Sequence, residues 1–256
     1  MKIFQKDPFG HILFFKKWLI RIIGIISYKR FQKINISGSE IINTLPTSNV
    51  LFISNHQTYF ADATAMLHVF NASLNGNENS INNIKYALKP KTNIYFIAAK
   101  ETMKSGIIPK ILAYTGSVSI ERTWRESGKS IKRNINKHDI DNIGKALKDG
   151  WLITFPQGTT KPFSAIRKGT AHIIKAHAPI VIPIVINGFN EAFDITGLKI
   201  RDKKIKLGIK IKEPLNIDYK NDSIDTLTHK IGNAIEQNPS NKQSTSPKQE
   251  HDDLSS

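Results

Sequence analysis

The chain has 256 residues and is 39% hydrophobic, enough to bury a substantial core and to exclude wholesale disorder. Its 37 Lys and Arg against 21 Asp and Glu give a formal net charge of +16, which favours polyanions: nucleic acid, anionic lipid headgroups, phosphorylated substrates or acidic carrier proteins. The absence of cysteine excludes disulfides, thiolate metal sites and cysteine nucleophiles together.

Residues 11–30 read as a helix in which Lys17, Arg21, Gly24 and Tyr28 recur at helical spacing as a narrow, more polar stripe. Phe14, Phe15, Trp18, Leu19, Ile22, Ile23, Ile25 and Ile26 cover most of the remainder. Lys16, Lys17 and Arg21 interrupt the apolar stretch, so it matches neither a secretory leader nor a membrane-spanning helix. An aromatic, apolar helix flanked by lysines suits a membrane interface, and residues 1–35 are expected to associate with an anionic membrane surface. The competing reading is a core helix whose lysines reach out to solvent. Nucleic acid is not expected as a partner, because the basic residues belong to no recognition module.

Beyond this segment, β-type runs alternate with helical ones. Val50–Ser54, Ile94–Ala99, Ser117–Glu121, Leu152–Phe155 and Ile180–Ile186 are rich in Val, Ile, Phe and Tyr and predict strands. Helices are predicted over 60–70, 106–115, 139–149 and 168–177, and again from Ser223 to Gln237. The alternation predicts an α/β fold, a mixed sheet flanked by helices, over residues 36–238. Lysines alternate with apolar residues over 203–212, which predicts a strand with one wet face. The asparagine-rich stretch 73–85 reads as a surface loop, and 239–256, nearly devoid of apolar residues, as a disordered tail.

Chemistry is concentrated at strand ends. VLFIS runs directly into Asn55-His56 and, with five residues between it and the histidine, Asp62. A carboxylate beside an imidazole holds one tautomer, and the neutral ring can then take a proton from an attacking hydroxyl. Positions six apart on one helix face different ways, so His56 must lie in a turn and Asp62 inside the helix for the two to meet. A histidine with a nearby aspartate is also common as plain structure. Downstream, Gly116 opens a strand that ends near Arg122, whose planar fork could grip phosphate or pair with Glu121 or Glu126. Phe155-Pro156-Gln157-Gly158-Thr159-Thr160-Lys161 is a turn suited to phosphate, with a glycine for close approach and two hydroxyls, but it lacks the spacing of a nucleotide P-loop. Arg167-Lys168-Gly169-Thr170 opens a helix whose N-terminus favours an anion.

In this order the segments resemble the glycerolipid acyltransferase family that includes the lysophosphatidate acyltransferases. Asn55, His56 and Asp62 match its Asn-His-X-X-X-X-Asp block; Gly116 and Arg122 match its Gly…Arg strand. Phe155, Pro156, Gly158 and Thr159 match Phe-Pro-Glu-Gly-Thr, and Pro183 its apolar strand with proline. The resemblance spans roughly residues 50–190. It implies that His56 is the general base and Asp62 its support, with Asn55, Arg122, Gln157, Gly158, Thr159 and Thr160 binding substrate. It further implies an acyl thioester donor (acyl-CoA or acyl-carrier protein), a lyso-lipid acceptor, no metal or other cofactor, and a peripheral or monotopic place on the cytoplasmic face of a membrane. Two departures stand out: the extra residue between His56 and Asp62, and Gln157 where the family has glutamate.

Overall fold

The computed structural model describes residues 4–104, 106–120 and 137–238. A seven-stranded sheet runs in the order β1 (Asn35–Ser37), β7 (Gly208–Ile211), β6 (Ile180–Asn187), β2 (Val50–Ser54), β5 (Trp151–Thr154), β3 (Ile94–Ala99) and β4 (Ser117–Ile120). β6 and β7 pair antiparallel; the other described pairs are parallel. The mixed α/β sheet read from the sequence is therefore the observed one.

The period of two along the central strands builds two cores. Val50, Phe52, Trp151, Ile153, Ile182 and Ile184 face helix α2 (Ala61–Ser73) and the end of α1 (Leu13–Phe31). Leu51, Ile53, Tyr95, Leu152 and Val181 face α5 (Lys137–Asp149), α6 (Lys168–His177) and α8 (Ile224–Ala234). Every residue of β2 is buried, which is why the strand is apolar without a break from Val50 to Ile53. Phe52 packs against Phe70 at 4.3 Å and Trp151 at 5.5 Å, so truncating it to alanine would cost about 3–5 kcal/mol. The β2–β5 register pairs Ile53 with Thr154, so the residues that follow these two strands emerge side by side at one edge of the sheet.

Two further helices, α3 (Lys100–Lys104) and α4 (Ile107–Tyr114), join β3 to β4, and α7 (Phe189–Ala192) follows β6. Short 3-10 turns at Ser39–Thr44 and Ile84–Leu88 lie outside the sequence expectations, the second at the end of the stretch read as an asparagine-rich loop. Ser223 caps α8 by accepting the Thr226 N–H at 3.0 Å, which fixes its start. The strand expected over 203–212 is cut to Gly208–Ile211. Its partner β6 is paired only as far as Asn187↔Gly208, because Gly188 turns the chain away at φ 80° into α7. Residues 203–206 therefore have no strand partner among the described residues and form an irregular connection, and Leu207 offers only its carbonyl, to the Asn35 N–H of β1.

Helix α1 is turned opposite to the simplest amphipathic reading. Much of its polar stripe faces protein: Arg21 Nε donates to the Leu88 carbonyl at 2.9 Å, Tyr28 Oη donates to the Asn82 carbonyl, and Gly24 lies against Ala87. Lys16 is fully buried, paired with Asp7 at 2.9 Å and set 4.4 Å over the Tyr95 ring. Burial pulls the Lys16 ammonium below its ordinary range, with Asp7 opposing that shift. The outward face carries Phe15, Trp18 and Ile26, which are 52%, 56% and 69% exposed. Among the described residues no helix is long and apolar enough to cross a membrane.

Candidate active site

Past β2 the chain makes one irregular turn, residues 55–60, before α2 begins at Ala61. His56 lies in that turn and Asp62 in the first turn of α2, and the extra residue between them is absorbed there. His56 Nδ1 is 2.8 Å from Asp62 Oδ2. The same carboxylate accepts the Gln57 N–H at 2.6 Å, the Thr58 N–H at 3.0 Å and the Thr58 hydroxyl at 2.6 Å. Asp62 thus reaches back to satisfy amides ahead of its helix, as a capping carboxylate does. It is fully buried, and the donors around it replace the water it gives up. With the carboxylate accepting at Nδ1–H, Nε2 is left as the acceptor nitrogen of a neutral ring.

Phe155, the first residue after β5, stacks on the His56 imidazole at 3.9 Å and 19°. His56 retains 15% side-chain exposure, and both rings line a cavity of about 1150 Å³. Asn55, expected to meet substrate, has its amide engaged at both ends: Nδ2 donates to the Ile186 carbonyl and Oδ1 accepts the Ile186 N–H, each at 2.8 Å. It continues the β2–β6 ladder past Ser54↔Ile184 and holds the turn in place. Gln57 does the same toward α7, accepting the Phe189 N–H at 2.8 Å.

The Gln157–Thr160 segment lines the same cavity, as do Arg167–Thr170 at the start of α6. Gly158 adopts φ 62° and its N–H closes a tight turn onto the Phe155 carbonyl. Arg167 Nε donates to the Gln157 carbonyl at 2.8 Å, and the Arg167 N–H donates to that of Pro156. Gln157 is itself buried, 1% exposed, with Nε2 donating to the Ser164 carbonyl at 3.0 Å and to Gln237 Oε1 at 3.1 Å. Two acceptors fix the orientation of its amide and leave Oε1 buried with no hydrogen-bond partner among the described residues. Gln237 Oε1 also accepts the Phe163 N–H at 2.9 Å, so one oxygen from the end of the described chain ties both limbs of the loop. Arg122 lies outside the described residues.

Inward, the cavity passes between α1 and α2 along Ile20, Ile23, Gly24, Leu67 and Ala87. His68 stands at this end, 2.8 Å from Ser27 Oγ and 2.6 Å from Tyr86 Oη. Burial drives its pKa down to about 4, so it is neutral at pH 7.

A family profile for Acyltransferase matches residues 33–187, which takes in the dyad, the glycine turn and the whole strand carrying Pro183. The chain belongs to the acyltransferase family. The crystal structure of the 1-acyl-sn-glycerophosphate (LPA) acyltransferase PlsC from Thermotoga maritima matches its fold with a TM-score of 0.53 at 18% identity. That match covers 93% of this chain and 89% of the other. No curated protein matches the chain.

The functional contacts that sequence patterns missed are Thr58, Gln57, the face of Phe155 and Gln237. Thr58 alone had a local signal, a hydroxyl residue four positions before a helical aspartate. The Gln57 side chain, the Phe155 ring and the Gln237 amide act across strands or across the chain, where spacing carries no information.

Proposed function

We propose that this acyltransferase moves a fatty acyl group from an acyl thioester, acyl-CoA or acyl-carrier protein, to the hydroxyl of a lyso-lipid, with 1-acylglycerol-3-phosphate as the leading acceptor. The observation that carries this reading is the His56–Asp62 pair, held by Phe155 where a largely apolar cavity meets the Gly158 turn. Nε2 of His56 takes the acceptor's hydroxyl proton as the oxygen attacks the thioester carbonyl. The tetrahedral intermediate then expels the thiolate, which recovers that proton from the imidazolium. Asp62 steadies the transient positive charge on the ring. Gly158, Thr159, Thr160 and the N-terminus of α6, with Arg122, hold the acceptor headgroup, and the apolar passage toward Gly24 takes the acyl chain.

The outward Phe15, Trp18 and Ile26 support a peripheral or monotopic seat on the cytoplasmic face of an anionic membrane. Supplying purified protein with labelled acyl-CoA or acyl-carrier protein and a panel of lyso-lipids tests the chemistry. The panel needs glycerol-3-phosphate and a lyso-aminolipid beside lysophosphatidate, because Gln157 brings a neutral amide where the family has a carboxylate. Transfer to lysophosphatidate is expected; no transfer to any acceptor by folded protein would sink the reading.

A further inference from the structure

The connection between α7 and β7 carries a surface that the acyl-transfer chemistry does not use. Lys199, Arg201, Lys203, Lys204 and Lys206 are all exposed, with Asp202 the one acid among them in sequence. None of the five pairs with a carboxylate among the described residues. Asp194, at the root of the loop, spends its carboxylate inside it, accepting the Thr196 hydroxyl at 2.7 Å and the Leu198 and Lys199 N–H groups at 3.0 Å. Two isoleucines stand out among these cations, Ile195 at 48% and Ile200 at 38% exposed.

The loop is fixed to the catalytic turn. The Tyr59 and Phe60 N–H groups donate to the Ile195 and Thr196 carbonyls, each at 3.0 Å. Gly197 sits at φ 76° so close to the turn that a Cβ there would come within 2.6 Å of the Ala61 nitrogen. Tyr59, next to these contacts, is 47% exposed and lines the cavity with His56. On the other side, Phe189 and Phe193 of the α7 segment pack against Phe31 at the end of α1, at 6.2 and 6.0 Å.

We propose that loop 195–206 is a second docking surface for an anionic bilayer, set beside the His56 turn and distinct from the outer face of α1. The proposal rests on the membrane-seated reading above and adds a site to it. Unpaired cations attract anionic headgroups, and exposed isoleucines and a tyrosine gain from entering the headgroup region. A partner read by charge alone would gain nothing from Ile195 and Ile200. Docked here, the bilayer lies against the turn that holds the general base, so a lyso-lipid enters the cavity directly from its own membrane.

Vesicle partitioning tests this without any acyl transfer. A variant with Lys199, Arg201, Lys203, Lys204 and Lys206 each changed to Gln is expected to bind phosphatidylglycerol-containing vesicles roughly a hundredfold more weakly than wild type. Its binding to pure phosphatidylcholine should be little changed. Because the chain has no cysteine, Ile200→Cys carries a single environment-sensitive fluorophore, expected to shift to the blue on anionic vesicles, whereas Lys220→Cys should not respond. Unchanged partitioning of the Gln variant, or a silent label at Ile200→Cys, overturns the proposal. Loss of acyl-carrier-protein binding with vesicle binding intact would assign the surface to an acidic donor protein and also overturn it. A Trp18→Ser/Ile26→Ser variant separates the two membrane readings. If it alone loses binding, the α1 reading stands and the loop falls; if wild type binds no vesicles, both fall.

Discussion

In the turn between β2 and α2 the Asp62 carboxylate finds its donors within seven residues, from His56 to Asp62, whereas the turn after β5 is tied by Gln237, eighty positions away. In the first turn one carboxylate meets the imidazole, two amides and a hydroxyl, all local. In the second, one glutamine oxygen serves two donors while the neighbouring buried Gln157 Oε1 has no partner among the described residues. The contrast teaches how the two departures from the family pattern are accommodated. The extra residue before Asp62 is taken up inside one turn, while glutamine at 157 is matched by a partner elsewhere. Gln237 must keep its oxygen toward the Phe163 N–H, so position 157 has to donate, and an amide does this where a carboxylate cannot.

The sharpest break of this comparison is at the local turn. His56→Ala should lower turnover by about 10²–10⁴-fold with the fold intact, the usual worth of a positioned base. A variant that turns over near the wild-type rate would remove His56 from the mechanism. Asp62→Ala should do more than weaken catalysis. It strands the Gln57 and Thr58 donors, so roughly 3 kcal/mol of stability should be lost in urea unfolding as well. Intact stability in that variant would show that the circuit is not what holds the turn.

A pH effect of similar size is expected at the far end of the cavity. The His68 pKa falls from 6.5 to about 4 on folding, so the unfolded chain binds the extra proton between those values. Stability should therefore decline as pH drops from 6.5 toward 4, by roughly 3 kcal/mol in all for a shift of this size. His68→Gln should flatten that decline, and an unchanged slope in denaturation at pH 7 and pH 5 would contradict the assignment. The smallest effect belongs to the distant tie. Gln237→Ala should cost about 1 kcal/mol, raise the acceptor KM more than the donor KM, and speed amide exchange at Phe163. Gln237→Glu keeps an oxygen for both donors and should restore the slower exchange; equal exchange in both variants would reduce Gln237 to a bystander.

The residue order determined much of this protein. The nearly unbroken apolar VLFIS and IVIPIVI runs announce buried strands, because both of their faces are covered. The His56–Asp62 spacing announces a turn followed by a helix, because only that geometry lets the pair meet. Tertiary structure decided what depends on distant chain. The order β6-β2-β5 lays Phe155 on His56, Asn55 is claimed by Ile186, and α1 turns its polar stripe inward because Leu88, Asn82 and Ala87 are there to receive it. A contact within one turn is written in its spacing, but a contact between segments exists only once folding has brought them together.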